Sequence, residues 1–316
     1  MTDAVSFSTS VKHELAHLPV ERSCCRRMEV AALLRASGRI SISANHRLAC
    51  ILGTDSSPVA RRFIRMLKSE FHLRPEVLVM RRQRLRKNLT YVVRIPQQPG
   101  LVEMLKELGF LDAEGRLQEW GYLEELEQEH CRCAYLRGTF LGTGWVASPE
   151  RQHHLEMTTT STEAADALGQ LLFQCGIPVR LAYRKESLVL YVKDADQIAH
   201  FLGLVGAHQA LLRFEEVRAI KEMKNQVNRQ VNAETANLTK TVEAAARQVA
   251  ALERLRARDG LKDLSEPLRE LALLRLSHPD ASLKELGEMC VPPVGKSGVN
   301  HRMRKLMELA RRYENG

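Results

Sequence analysis

The sequence predicts an α+β protein: a pseudo-twofold duplicated domain, each half running αββαββα, followed by a smaller all-α domain. Three observations carry this. The segment VAALLRASG at 30–38 returns 106 positions later as LRGTFLGTG at 136–144. The apolar patterns that follow each segment recur in the same order. Beyond residue 215 the β signal ends, and the last 55 residues divide into three short helical patterns.

In the first half, RISIS and RLACILGT follow Gly38 and alternate as two strands. PVARRFIRMLKSEFHL then places Val59, Phe63, Met66 and Leu67 at helical spacing, and PEVLVMR and LTYVVRI make a second strand pair. In the second half, the helix ending at Gly144 leads to WVAS and HHLEMTTT, to the helical TEAADALGQLLFQ, to VRLAYRK and LVLYVKD, and to a helix near DADQIAHFLGLVG. So long a period implies two pseudo-symmetric halves rather than a solenoid. They fall at about 20–110 and 130–212, within a first domain of residues 1–212. Ala32 and Ala36 lie four apart, as do Gly138 and Gly142. Small residues at that spacing share a helix face, so the two segments are expected to pack on each other across the pseudo-twofold. Each helix should end at its glycine in a left-handed conformation.

Residues 213–260 read as a helical connector with the apolar stripe Val242, Ala245, Val249 and Leu252. Within and just before NRQVNAETANL stand Asn225, Asn228, Asn232 and Asn237. Asparagine is a poor interior helix former, so a hinge between domains and a contact with DNA or a partner both remain open. Residues 261–316 form the last domain. LSEPLRELALLRL is one helix, and Ser282 with Glu285 gives SLKELGEMC a capping box. A turn at Val291–Lys296 precedes a basic helix starting at Ser297. This is a helix-turn-helix pattern whose turn exceeds the usual roughly three or four residues. Val299, Met303, Leu306 and Leu309 should face the core. Lys296, Ser297, Asn300, His301, Arg302, Arg304 and Lys305 are then the candidate DNA contacts, against the alternative of an ordinary solvated face.

Charge agrees with a polyanionic partner: 47 Lys and Arg against 38 Asp and Glu give +9. From Arg61 to Arg94 there are eleven bases and two acids; from Leu101 to His130 there are nine acids and two bases. A basic patch and a separate acidic helix pair are expected. Arg81, Arg82, Arg84, Arg86 and Lys87 are weaker DNA-binding candidates, a solvated hairpin turn being the other reading. No stretch approaches the roughly 18 apolar residues of a membrane span, and residues 1–20 lack a signal peptide's apolar run, so a cytoplasmic protein without a membrane partner is expected. Seven cysteines fit reduced thiols. Cys24, Cys25, Cys131 and Cys133 could hold zinc if brought together, but their adjacent and C-x-C spacings depart from C-x₂₋₄-C. Free thiols, with no metal and no cofactor, are the expectation. His153 and His154 should point to opposite sides of a strand, at the surface and the core edge, which disfavours joint ligation.

Both nonapeptides resemble the LAGLIDADG motif of homing endonucleases, whose fold has this helix and strand order. Over about residues 6–312, VKHEL, AYLRGTFLGTGWV, NRQVNAETANL, SLKELGEMC and GKSGVNHRMRKL are similar to the WhiA family of bacterial regulators. The resemblance implies a degenerate LAGLIDADG-like domain tethered to a helix-turn-helix that binds double-stranded DNA. It implies roles in transcription and in cell division, sporulation or chromosome segregation, a nucleoid location, and a regulatory partner of the WhiB iron–sulfur type. In active LAGLIDADG nucleases the residue before the final glycine is an acid, and the two helix ends jointly hold the metal ions that activate water. Those places are Ser37 and Thr143 here. Neutral hydroxyls lack the paired negative charge for Mg²⁺, so no catalytic residue is expected. Arg35 stands at the motif's first acid, and Asp55, Glu150 and Glu156 are the acids left as replacements. The alternatives are a metal-dependent endonuclease with displaced carboxylates and a weakly specific structural protein of the chromosome.

Overall fold

A computed structural model of the chain describes residues 6–42, 47–81, 89–118, 123–185, 187–257 and 261–315. The chain divides into two units between Lys221 and Glu222. The first opens with α1 (Phe7–His17), whose N-cap Ser6 accepts the Thr9 amide at 3.2 Å. Then come α2 (Ser23–Ser37), β1 (Gly38–Ile42), β2 (Leu48–Thr54), α3 (Ser57–Phe71), β3 (Glu76–Arg81), β4 (Leu89–Ile95) and α4 (Leu101–Glu107). The same order returns as α5 (Glu129–Thr143), β5 (Trp145–Val146), β6 (Leu155–Thr159), α6 (Thr162–Gln174), β7 (Arg180–Arg184), β8 (Ser187–Val192) and α7 (Ala195–Val205). Among the described residues the expected acidic helix pair is not formed. After α4 the chain makes a bridged turn at Leu111 and Leu117 and a 3₁₀ turn at Glu124–Glu127 before α5.

Each half carries one antiparallel four-stranded sheet, in the orders β1-β2-β4-β3 and β5-β6-β8-β7. Alternation selects the inward faces. Cys50 and Leu52 with Val93 and Ile95 are buried in one sheet, and Leu155 and Met157 with Leu190 and Val192 in the other. In α3 the predicted Val59, Phe63, Met66 and Leu67 are all buried.

The repeated segments lie on α2 and α5, which pack side by side and run parallel. A Cβ on Gly138 would sit 2.6 Å from the Glu29 carbonyl oxygen and 2.7 Å from Ala32 Cβ; one on Gly142 would sit 2.7 Å from Ala36 Cβ. Only small residues admit this approach. The terminal glycines follow a different rule from the expected one. Gly38 (φ −95°, ψ 171°) and Gly144 (φ −69°, ψ 150°) are extended, not left-handed. Each helix passes straight into a strand, folding the glycine over its own last turn. A Cβ would meet the Leu34 oxygen at 2.5 Å or the Phe140 ring at 2.2 Å.

Beneath this helix pair lies a charged triad. Glu29 of α2 is fully buried and bonds Arg62 of α3 and Arg137 of α5; its Oε2 accepts from Arg62 Nη2 and Arg137 Nε, each at 2.9 Å. The guanidinium groups also donate to backbone carbonyls, Arg62 to Ala16 and Leu18 beside the end of α1 and Arg137 to Val205 at the end of α7.

Helix α8 (His208–Ala257) is continuous. It begins before residue 213, and Glu14 of α1 accepts its Gln209 and Ala210 amides at 2.8 and 3.0 Å. The asparagine run makes no break: Asn225, Asn228, Asn232 and Asn237 are exposed within the helix. Its end, through Leu252 and Leu255, enters the core of the second unit with Leu264, Leu268, Leu271, Leu286, Val299, Met303 and Leu306. That unit adds α9 (Glu266–Ser277), α10 (Leu283–Met289) and α11 (Lys296–Asn315). Ser282 and Glu285 form the expected capping box.

Removing one partner from a buried ion pair strands the other charges, so Glu29→Ala should cost about 3–5 kcal/mol in equilibrium denaturation. Gly138→Ala, which overpacks the helix contact, should cost about 1–3 kcal/mol in the same measurement.

Candidate nucleic-acid interface

The second unit presents its basic helix through a turn fixed on three sides. Between Met289 and Lys296 the chain folds back, and the Val294 amide donates to the Gly287 oxygen at 2.8 Å. Val294's own oxygen lies 2.1 Å from where a Gly287 Cβ would stand, so α10 needs glycine there. Glu270 of α9 accepts the Val291 amide at 2.7 Å. The long turn is thus closed by its own contacts. Helix α11 starts at Lys296, one residue before the expected Ser297.

Val299, Met303 and Leu306 are buried, and Leu309 packs partly buried against them. Helical geometry then turns Lys296, Ser297, Asn300, His301, Arg304 and Lys305 to solvent, with Arg302 half-buried. Among the described residues none of Lys296, Arg302, Arg304 or Lys305 enters an ion pair. The first turn of α11 also lacks an acidic residue. Its amide dipoles and free cations therefore present one sign of charge, suited to a phosphate.

At the C-terminal ends of α2 and α5, where a LAGLIDADG nuclease holds metal, the chemistry differs. Ser37 Oγ donates to the Leu33 oxygen of its own helix at 3.1 Å, and Thr143 Oγ1 is buried without a hydrogen-bond partner among the described residues. Arg35 turns toward the end of α4, donating to the Leu108 and Gly109 oxygens and lying 4.5 Å from the Phe110 ring. The remaining acids are engaged elsewhere. Asp55 acts on Lys12, whose ammonium burial drives down in pKa against that carboxylate's pull. The Ser148 hydroxyl, with Arg213, holds the Glu150 carboxyl below its usual range. Glu156 pairs with His154 at 3.0 Å and Arg184 at 3.5 Å. Strand register gives Glu156's counterpart in the first half as Ile51, so no symmetric acid pair is rebuilt.

The outer faces of the two sheets have diverged. Across the first, the register aligns Arg39, Ile51, Arg94 and Glu76, and Arg94 is neutralised by Glu76 at 2.9 Å. Across the second it aligns Trp145, Glu156, Tyr191 and Arg180. There His154 lies 5.9 Å from the Trp145 ring and stacks on Tyr191 at 5.7 Å, while the Lys193 ammonium sits 5.3 Å from Tyr191. An open groove runs past Trp145, Arg151, His154, Arg184 and Lys193. Rings interleaved with cations suit nucleic-acid bases and phosphates. Residue-by-residue reading missed this groove, although the period-two placement of Arg180 and Arg184 was its signal. Of the weaker candidates, Arg81 ends β3 and is exposed; Arg82, Arg84, Arg86 and Lys87 lie outside the described residues. His153 and His154 stand just before β6 rather than on it and part there, His153 packing 5.4 Å from Phe214.

The cysteines also regroup. Cys24, Cys25 and Cys131 converge with His130, and Cys133 is not part of the group. Burial pushes the Cys25 and Cys131 thiols up in pKa, and Cys50, alone in the core, up to about 12.

Comparison with known proteins gives this architecture a family. Residues 23–111 match the WhiA N-terminal LAGLIDADG-like domain, 132–224 the WhiA LAGLIDADG-like domain, and 227–310 the WhiA C-terminal HTH domain. The probable cell division protein WhiA of Symbiobacterium thermophilum is 64% identical over 99% of this chain and 100% of its own. That of Desulfitobacterium hafniense is 49% identical over 98% and 97%. The crystal structure of full-length WhiA from Thermatoga maritima superimposes with a TM-score of 0.60 at 22% identity, covering 97% of this chain and 98% of that one, and so shares the fold. A duplicated LAGLIDADG-like domain, a helix-turn-helix and 64% identity along nearly the whole chain make this protein a member of the WhiA family.

Proposed function

We propose that this chain is a non-catalytic, sequence-specific DNA-binding regulator of transcription, acting in cell division and in sporulation or chromosome segregation. The observation that carries the reading is α11. Its buried Val299, Met303 and Leu306 lock the helix, while Asn300, His301, Arg302 and Arg304 project where a recognition helix reads base edges. Lys296, Arg302, Arg304 and Lys305 neutralise phosphates or contact bases, with Ser297 beside them at the start of the helix. The groove along Trp145, Arg184 and Lys193 adds a second surface for nucleic acid, and Arg81, Arg82, Arg84, Arg86 and Lys87 contribute basic charge from the first half. The relatives' names support the division role. A nucleoid location in the cytoplasm follows from this reading. A WhiB-type regulator is the partner the family resemblance offers.

Replacing Arg302 and Arg304 together by alanine should weaken binding to a selected site and flatten the log–log salt dependence by about one unit per lost phosphate contact. Unchanged slope and affinity would remove α11 from the interface. A small ratio of specific to non-specific affinity in the parent chain would favour a structural chromosome protein instead.

Because Ser37 and Thr143 replace the metal-binding acids, supercoiled DNA incubated with the chain and Mg²⁺ or Mn²⁺ should stay intact. Nicking that vanishes in Glu156→Gln would reinstate an enzyme with displaced carboxylates.

A further inference from the structure

The first turns of α2 and α5 bring four soft donor groups together. One donor atom from each of Cys24, Cys25, His130 and Cys131 lies within 4.8 Å of all the others. His130 Nδ1 is 3.2 Å from both Cys25 Sγ and Cys131 Sγ. In a filled tetrahedral zinc site, with Zn–S about 2.3 Å and Zn–N about 2.0–2.1 Å, the same edges are about 3.5 Å. The observed group is therefore close to the size of a coordination shell.

Symmetry explains how an unpromising spacing reaches this geometry. At the 106-residue offset Cys24 corresponds to His130 and Cys25 to Cys131. Each half supplies one adjacent pair, and the parallel packing of α2 and α5 sets the two pairs face to face. Ligand spacing rules for a single chain segment do not apply to a site shared between two helices. Both helices start without a side-chain cap, so the positive ends of two helix dipoles lie beside the cluster. A cleft lined by Glu21, Arg22, Glu129 and Cys133 reaches Cys25 and His130, giving an ion a way in.

We propose that Cys24, Cys25, His130 and Cys131 form a structural Zn²⁺ site that clamps the N-terminal ends of α2 and α5 across the pseudo-twofold. Zinc is the ion because three thiolates and an imidazole in four-coordinate geometry match its structural sites, whereas hard Mg²⁺ and Ca²⁺ require oxygen. All four positions are filled by protein, so the ion holds the fold and has no vacancy for substrate. On binding, the three thiols release their protons to solvent and bond the metal as thiolates, with no change of oxidation state.

The test is the metal content of the full chain purified without chelator. The expected result is about one zinc per chain, as for other closed sites, retained in Cys133→Ser and lost in Cys25→Ser/Cys131→Ser. Should the double variant fail to fold, the parent chain stripped of metal and titrated with Co²⁺ decides. The cluster gives the intense visible bands and near-ultraviolet charge transfer of tetrahedral thiolate cobalt, and His130→Cys keeps them with an all-sulfur shift. A zinc-free chain giving only the pale spectrum of octahedral cobalt overturns the site. So does zinc at the same level in the folded double variant, or a zinc-free chain isolated with a Cys25–Cys131 disulfide.

Discussion

One carboxylate holds the first unit in register. Glu29 has no access to water, and two guanidinium groups from two other helices meet it there. Taking three charges out of water is expensive, and one positive charge is left over. The structure offsets it with helix ends: carbonyls at Ala16, Leu18 and Val205 bring the negative ends of α1 and α7 against the guanidinium groups. Five helices are thereby tied to one side chain. The Glu29 backbone is also what Gly138 packs against, so the same residue sets the depth at which α2 and α5 meet. Any property that depends on those helices being parallel and close depends on this triad.

That network also shows where sequence reading stopped. The duplicated order, the facing Ala and Gly positions and the capping box were legible because each follows from periodicity or local hydrogen bonding. Counted charge does not say which cations stay free. Arg62 belongs to the basic stretch Arg61–Arg94 by number, yet it is buried on Glu29, and Arg94 is neutralised by Glu76. Composition cannot separate a solvated cation from one consumed in the core, because the partner lies 33 residues away in the chain. The glycines at 38 and 144 were recognised as helix ends for a different reason from the real one, which is contact with the preceding turn.

The candidate sites were legible to different degrees for the same reason. The exposed face of α11 follows from three buried residues on one helix, so a helical wheel suffices. The aromatic groove requires strand register, since Trp145 and Arg184 meet only through Glu156, which pairs Trp145 in register and Arg184 by charge. The thiol cluster requires both the repeat and the parallel helix pair. Cys133 was the obvious fourth ligand by composition, but the symmetry that pairs Cys25 with Cys131 pairs Cys24 with His130.

The two ends of the α2–α5 pair have opposite chemistry, about 18 Å apart for 12 residues of helix. At the C-terminal end a nuclease would join the halves through hard metal ions held by acids. Ser37 and Thr143 cannot do this, and Arg35 is spent on the carbonyls of α4. Two halves without acids at that end still need their helices held. The triad does this from within the core, and the soft ligands at the N-terminal end do it from the rim. Holding the halves at the end opposite Ser37 and Thr143 keeps the helix contact without acids at the C-terminal end. What the chain shares with LAGLIDADG-like domains is then the paired-helix architecture.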